Sequence, residues 1–135
     1  MKKTFRSVFA LILLGAVCYI LPSCNVSTAN LSDIKLCSSV NSSGECDGDN
    51  STFSGTVPVI YCSAQLKNAP SGTKVTFEWK QGSESMGKAD VETSSGVVNS
   101  TFKPTSAMEP GTYSVTVKIN TDNSKPVTKE FTITE

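Results

Sequence analysis

This chain alternates apolar and polar residues with a period of two. Turn formers interrupt the alternation every 8–12 residues, and no segment beyond residue 24 sustains a helical period. Those three observations predict an all-β domain of seven to eight short strands. Each strand has one apolar face, and two antiparallel sheets packed face to face bury all of those faces together. A closed barrel is the alternative arrangement.

The strands follow in order. Residues 31–40 read as the first, with Ile34 and Leu36 inward, and residues 41–52 as a polar loop. Residues 57–67 place Ile60, Cys62, Ala64 and Leu66 on one side. Asn68-Ala69-Pro70-Ser71-Gly72 is a run of turn formers. Residues 74–81 set Val75, Phe77 and Trp79 against Thr76, Glu78 and Lys80. After a turn over 82–87, residues 88–93 read as an edge strand and 97–103 as a stronger one with Phe102 inward. A loop covers 104–111. Residues 112–120 alternate Tyr113, Val115, Val117 and Ile119 with polar partners, and 127–134 close the domain with Phe131 and Ile133 inward.

The N-terminal segment has a different character. Lys2, Lys3 and Arg6 form a basic start, an apolar run extends from Val8 to Leu21, and Leu21-Pro22-Ser23-Cys24 follows. A membrane-spanning helix needs roughly 20 apolar residues, whereas the apolar part of a signal peptide takes about 7–15. The layout resembles a bacterial lipoprotein signal. That resemblance implies cleavage before Cys24 and acylation of the Cys24 side chain (palmitate among the acyl groups), with Asn25 favouring the outer membrane over the inner. Residues 1–23 are then a signal peptide, 24–30 a lipidated tether and 31–135 the folded domain. A plain secretory cut after Ala29 and an uncleaved anchor are the rival readings.

Removing 23 residues from 135 leaves 112, enough for one domain. Three of the twelve basic residues leave with that segment, so nine face twelve acidic ones, for a net charge of −3. No basic stripe survives, which argues against a nucleic-acid partner. The chain has no histidine, the commonest general base and transition-metal ligand. Cys37 and Cys46 flank the turn formers Asn41-Ser42-Ser43-Gly44 and are the leading disulfide candidates in an oxidising envelope. A pairing of either with Cys62, or no disulfide, stays open. Cys62 itself reads as a small buried hydrophobe in an apolar strand.

Trp79 late in the second strong strand and Tyr113 in Glu109-Pro110-Gly111-Thr112-Tyr113 resemble two immunoglobulin landmarks: the buried tryptophan of strand C and the tyrosine corner at the start of strand F. Cys62 stands where the strand-B cysteine belongs, but the strand-F position holds Val115. The order Cys37, Cys46, Phe53, Ile60-Tyr61, Pro70-x-Gly72-Thr73-Lys74-Val75, Trp79, Phe102-x-Pro104, Pro110-Gly111-x-Tyr113-x-Val115 and Phe131-x-Ile133 resembles an immunoglobulin-like domain recurring in bacterial lipoproteins. The resemblance covers about residues 32–134. It implies an immunoglobulin-like β-sandwich with Trp79, Tyr113 and Cys62 as structural core.

The implied role is a non-catalytic module of the cell envelope that binds a protein or glycan ligand or supports an assembly. Its membrane contact runs through the acyl chains on Cys24, and no other cofactor and no metal are expected. An envelope-displayed inhibitor of an exported hydrolase is the alternative role, and a secreted enzyme a further one. Four Ser-x-x-Lys spacings, including Ser32/Lys35 and Ser71/Lys74, fall on strands or turns rather than at the helix head that a Ser–Lys nucleophile needs. The acidic run Glu45-Cys46-Asp47-Gly48-Asp49 reads as a solvated turn, with a calcium loop as the lesser reading. Tyr61 is a weak candidate for a sugar-contacting surface.

Overall fold

The computed structural model describes residues 28–121 and 124–135. The signal segment, Cys24 and Asn25 lie outside the described residues. Eight strands run in chain order: β1 Asn30–Cys37, β2 Thr52–Ser54, β3 Ile60–Lys67, β4 Thr73–Gln81, β5 Glu84–Thr93, β6 Gly96–Phe102, β7 Gly111–Ile119 and β8 Val127–Thr134. They form two sheets, one of three strands in the order β1-β3-β6 and one of five in the order β2-β8-β7-β4-β5. The predicted all-β sandwich is therefore present, with an immunoglobulin-like division of its strands.

The two sheets enclose a single apolar core. Leu36, Ile60, Cys62, Val75, Phe77, Val115 and Val117 are fully buried within it. The period-two pattern sends these side chains inward and leaves Lys74, Lys118 and Thr132 exposed on the outer faces. Phe131 anchors one end of the core. It packs edge-on against Phe53 (centroids 5.7 Å apart) and Trp79 (6.2 Å) and stacks on Tyr113 (5.6 Å). Phe102 stacks on the other side of Trp79 at 5.6 Å. Each such ring pair adds about 0.5–1.5 kcal/mol beyond the area it buries.

Four local expectations are corrected. Strand β1 ends at Cys37 rather than at residue 40, and it carries a bulge: Ser32 pairs with Gln65 and Lys35 with Ser63, so Asp33 and Ile34 together oppose Ala64. Asp33 has φ of 49°. One extra residue switches the inward parity, which is how Leu31 as well as Ile34 and Leu36 packs against the core.

The expected loop over 41–52 runs into a short strand, β2, which pairs with β8 in parallel, the one exception to antiparallel order among the described strands. Antiparallel pairing follows where a hairpin joins two strands. No hairpin joins β2 and β8, and Phe53 meets Ile133 across 80 residues of chain. The turn expected over 82–87 contracts to Gly82-Ser83, and β5 starts at Glu84. Met86 is the extra residue there, since Trp79 pairs with Gly87 and Lys80 with Ser85. Finally, Asn30 already belongs to β1 and Ala29 packs against the core, so the sheet begins inside the segment read as tether.

Register fixes which loops share an end. Asn30 lies opposite Lys67, Leu66 opposite Gly96, Thr73 opposite Thr93 and Val75 opposite Ile119. The start of β1 therefore shares one pole with the loops 68–72, 94–95 and 120–126. Ile60 opposite Phe102, Gln81 opposite Glu84 and Gly111 opposite Ile133 gather the loops 55–59, 82–83 and 103–110 at the other pole.

Candidate functional site

Two regions hold polar groups in fixed geometry: a disulfide-bonded hairpin on the three-stranded sheet, and a hollow at the pole remote from the start of β1. Cys37 and Cys46 form a disulfide, with Cα atoms 5.6 Å apart. The leading expectation for these cysteines holds, and Cys62 is a free thiol buried in the core. Burial pushes the Cys62 thiol up to about 12, so it is neutral at ordinary pH.

The chain between the bridged cysteines folds back because Asn41 organises it. Its side-chain oxygen accepts hydrogen bonds from Ser43 N (3.0 Å), Ser43 Oγ (2.6 Å) and Glu45 N (3.1 Å). Gly44 follows in the left-handed region at φ +84°. Its carbonyl accepts from Asn99 Nδ2 of β6 at 3.0 Å, and Cys46 N donates to the buried Ser63 Oγ of β3 at 3.0 Å. Cys62 and Ala64 point into the core, so Ser63 and its partner Asn99 face outward. The hairpin thus lies over the outer face of all three strands.

The acidic residues read as a solvated turn mostly have partners. Glu45 takes a 3.0 Å ion pair from Lys35, and that hydrogen bond, with the charge behind it, raises the Lys35 ammonium above its ordinary value. Asp49 accepts from Leu36 N at 3.0 Å and pairs with Lys129 of β8. Partial burial tends to raise the Asp49 carboxyl, but the Lys129 and Leu36 hydrogen bonds outweigh it and hold the group below its usual value. Lys129 Nζ also donates to Ile34 O at 2.8 Å. Asp47 is exposed. Among the described residues no three metal-ligating side chains converge.

The hollow at the far pole has a volume of about 490 Å³. Gln81 and Glu84 of the β4–β5 hairpin, the bulged Met86, Phe102 at the end of β6, and residues 103–109 line it, with Tyr113. Backbone bonds stitch its wall in place: Met108 N donates to Gly55 O (2.8 Å) and Gly55 N to Thr134 O (2.9 Å). A second hollow of about 270 Å³ lies between 55–58 and 104–107, so the strip 104–107 borders both. The residues offered are mixed: Met86, Phe102 and Met108 are apolar, Glu84 and Glu109 acidic, Lys103 basic.

Of the residues singled out from sequence, Trp79 is buried on β4 at 3% exposure. Its Nε1 has no acceptor among the described residues. Tyr113 is buried on β7 and its hydroxyl donates to Glu109 O at 2.8 Å, the tyrosine-corner bond. Burial, then the Glu109 charge, raises its phenol above the ordinary value. Cys62 on β3 and Val115 on β7 are both fully buried. Tyr61 is half-buried beside Cys37 on β1. Sequence reasoning singled out Asp49 only as part of an acidic turn and missed its pairing with Lys129, and it missed the hollow. The signal for the pair was weak, two opposite charges 80 residues apart, and nothing in the sequence marked 103–110 as a wall.

No family model matches this chain, and no curated protein matches it. Among solved structures it is similar to an engineered protein at 20% identity, with a TM-score of 0.48, over 66% of this chain and 19% of that one. It is also similar to a β-glucosidase from Listeria innocua in complex with glucose, at 12% identity and a TM-score of 0.43, over 79% of this chain and 16% of that one. The chain spans less than a fifth of either neighbour's length.

Proposed function

We propose that this chain is a lipoprotein of the bacterial cell envelope, held to a membrane by acyl chains on Cys24. Its immunoglobulin-like sandwich serves as a non-catalytic binding or assembly-support module. The observation that carries this reading is the sequence Leu21-Pro22-Ser23-Cys24 after a basic start and a short apolar run. Each buried methylene of an acyl chain contributes about 0.8 kcal/mol, so two or more chains hold a small domain on a bilayer. Asn25 after the acylated cysteine favours the outer membrane.

The polarity of the fold supports the reading. The sheet starts at Asn30, only a few residues beyond Cys24, and the hollow lies at the opposite pole. A tether leaving the first pole keeps the domain close to the bilayer without crowding the hollow. Its lining, apolar at Met86, Phe102 and Met108 with two carboxylates and the single ammonium of Lys103, suits a protein or glycan ligand better than a polyanion.

The test is fractionation of cells carrying Cys24→Ala. The variant is expected in the soluble envelope fraction, and mass spectrometry of the native protein is expected to find an acylated N-terminal cysteine. A variant that still pellets with membranes after a salt wash sinks the anchor.

A further inference from the structure

Strand β5 ends the five-stranded sheet. Among the described residues it pairs with β4 alone, so its outer row of backbone groups is open to another strand. With ten residues it is the longest strand. The other sheet edges are poorer templates: β2 has three residues, the bulge at Asp33 leaves β1 only three regular residues on either side, whereas the bulge at Met86 leaves seven in β5 (Gly87 to Thr93), and β6 carries no charged side chain to fix a register. We propose that β5 pairs antiparallel with β5 of a second copy of this chain, in one register centred on Ala89.

The register follows from geometry and charge. From Gly87 to Thr93 the strand is regular, with Lys88, Asp90 and Glu92 exposed on one face and Gly87, Ala89, Val91 and Thr93 half-buried on the other. Antiparallel partners project their side chains to the same face. An exposed residue must therefore meet an exposed one, and the two-fold axis passes beside a residue rather than between two.

Few axes remain. One at Lys88, Asp90 or Glu92 sets that charge against its own copy. One at Val91 sets Asp90 against the partner's Glu92, and one at Gly87 puts the irregularity at Met86 directly beside the axis, where an axis at Ala89 leaves it at the end of the paired stretch, opposite the partner's Glu92. The axis at Ala89 sets Lys88 against the partner's Asp90, twice by symmetry, and Gly87 against the partner's Val91.

The exposed face then carries a matched row. Within each chain Glu78 lies opposite Lys88, and Thr76 Oγ1 donates to Asp90 Oδ1 at 2.6 Å. Across the junction the row reads Glu78, Lys88, the partner's Asp90, the partner's Thr76. Charges on an edge strand ordinarily deter pairing; here their order admits a single register. Antiparallel pairing also sets the two starting poles at opposite ends of the dimer. Two tethers on one bilayer would hold the strands along its surface.

The test uses the full chain in detergent, by sedimentation and by oxidative cross-linking beside wild type. Wild type is expected to dimerise, and Ala89→Cys to give a disulfide-linked dimer on mild oxidation, because position 89 faces its own copy. Lys88→Glu turns two attractive contacts into repulsive ones and is expected to weaken the dimer about tenfold or more. The charge swap Lys88→Asp with Asp90→Lys is expected to restore it. A wild-type chain that stays monomeric at every concentration reached overturns the proposal. So does a dimer that Lys88→Glu leaves intact and Ala89→Cys fails to link.

Discussion

Lys129 of β8 and Asp49, 80 residues apart in the chain, form an ion pair that ties the five-stranded sheet to the segment following β1. The bulge at Asp33 makes this closure possible. Ile34 opposes no residue of its own in β3, and its carbonyl accepts from Lys129 instead. Asp49 in turn accepts from Leu36 N, so one carboxylate and one ammonium join strands from both sheets along a single side of the sandwich.

Asp49→Asn is expected to lower the unfolding free energy by about 1 kcal/mol at neutral pH. A charged hydrogen bond to backbone is worth more than that, but exposure of the pair screens it. The pH dependence identifies the source. A carboxyl held below its unfolded value contributes stability that is complete above the unfolded value, near 4, and is lost as pH falls through the folded one. Wild type and Asp49→Asn should therefore converge as pH drops below about 4. A gap that stays constant from pH 7 to pH 3, in urea unfolding at each pH, would assign the loss to packing instead.

Gly55 is a position where no side chain fits. A Cβ built there would lie 2.7 Å from Met108 O and 3.4 Å from Thr134 O. Both are backbone atoms that cannot swing away. Gly55→Ala is expected to cost about 2–3 kcal/mol by overpacking and to loosen the strip 104–107 that borders both hollows. Hydrogen exchange should rise at Met108 N, whose acceptor is Gly55 O. If unfolding is unchanged and Met108 stays protected, the close approach is not a constraint.

The sequence made most strands legible because burial on one face of a sheet imposes a period of two, and that period survives in β3, β4, β7 and β8. It could not reveal β2, since three residues show no period and their partner lies almost at the other end of the chain. The bulges at Asp33 and Met86 were equally hidden. Each inserts one residue without leaving a turn signature of its own, and around Met86 the composition Gly82-Ser83-Glu84-Ser85 looks like loop throughout. The disulfide was readable from local spacing. The hairpin's seat over Ser63 and Asn99 was not, because those contacts are long-range and made largely through backbone.

Gly44 and Asn99 illustrate the same limit. A Cβ at Gly44 would sit 2.3 Å from Asn99 Nδ2, and its φ of +84° strains any other residue. From the sequence, Gly44 is simply the last of four turn formers. In the fold it sets how closely the disulfide hairpin approaches β6.

Trp79 lies at the centre of the aromatic cluster, between Phe102 and Phe131, and is the sole tryptophan. Two substitutions separate what its volume and its N–H contribute. Trp79→Ala removes a large buried ring and is expected to cost about 3–5 kcal/mol. Trp79→Phe leaves a smaller void and also removes an indole N–H that has no acceptor among the described residues. Burying such a donor costs about 1–3 kcal/mol, so its removal offsets part of the lost packing, and the net loss is expected below about 2 kcal/mol. Urea unfolding followed by circular dichroism reads both, provided the slope with denaturant is unchanged. A Phe variant as damaged as the Ala variant would mean that the N–H is satisfied in solution. An Ala variant as stable as wild type would mean that the ring does not pack between the sheets, and would reopen it as a platform for a ligand.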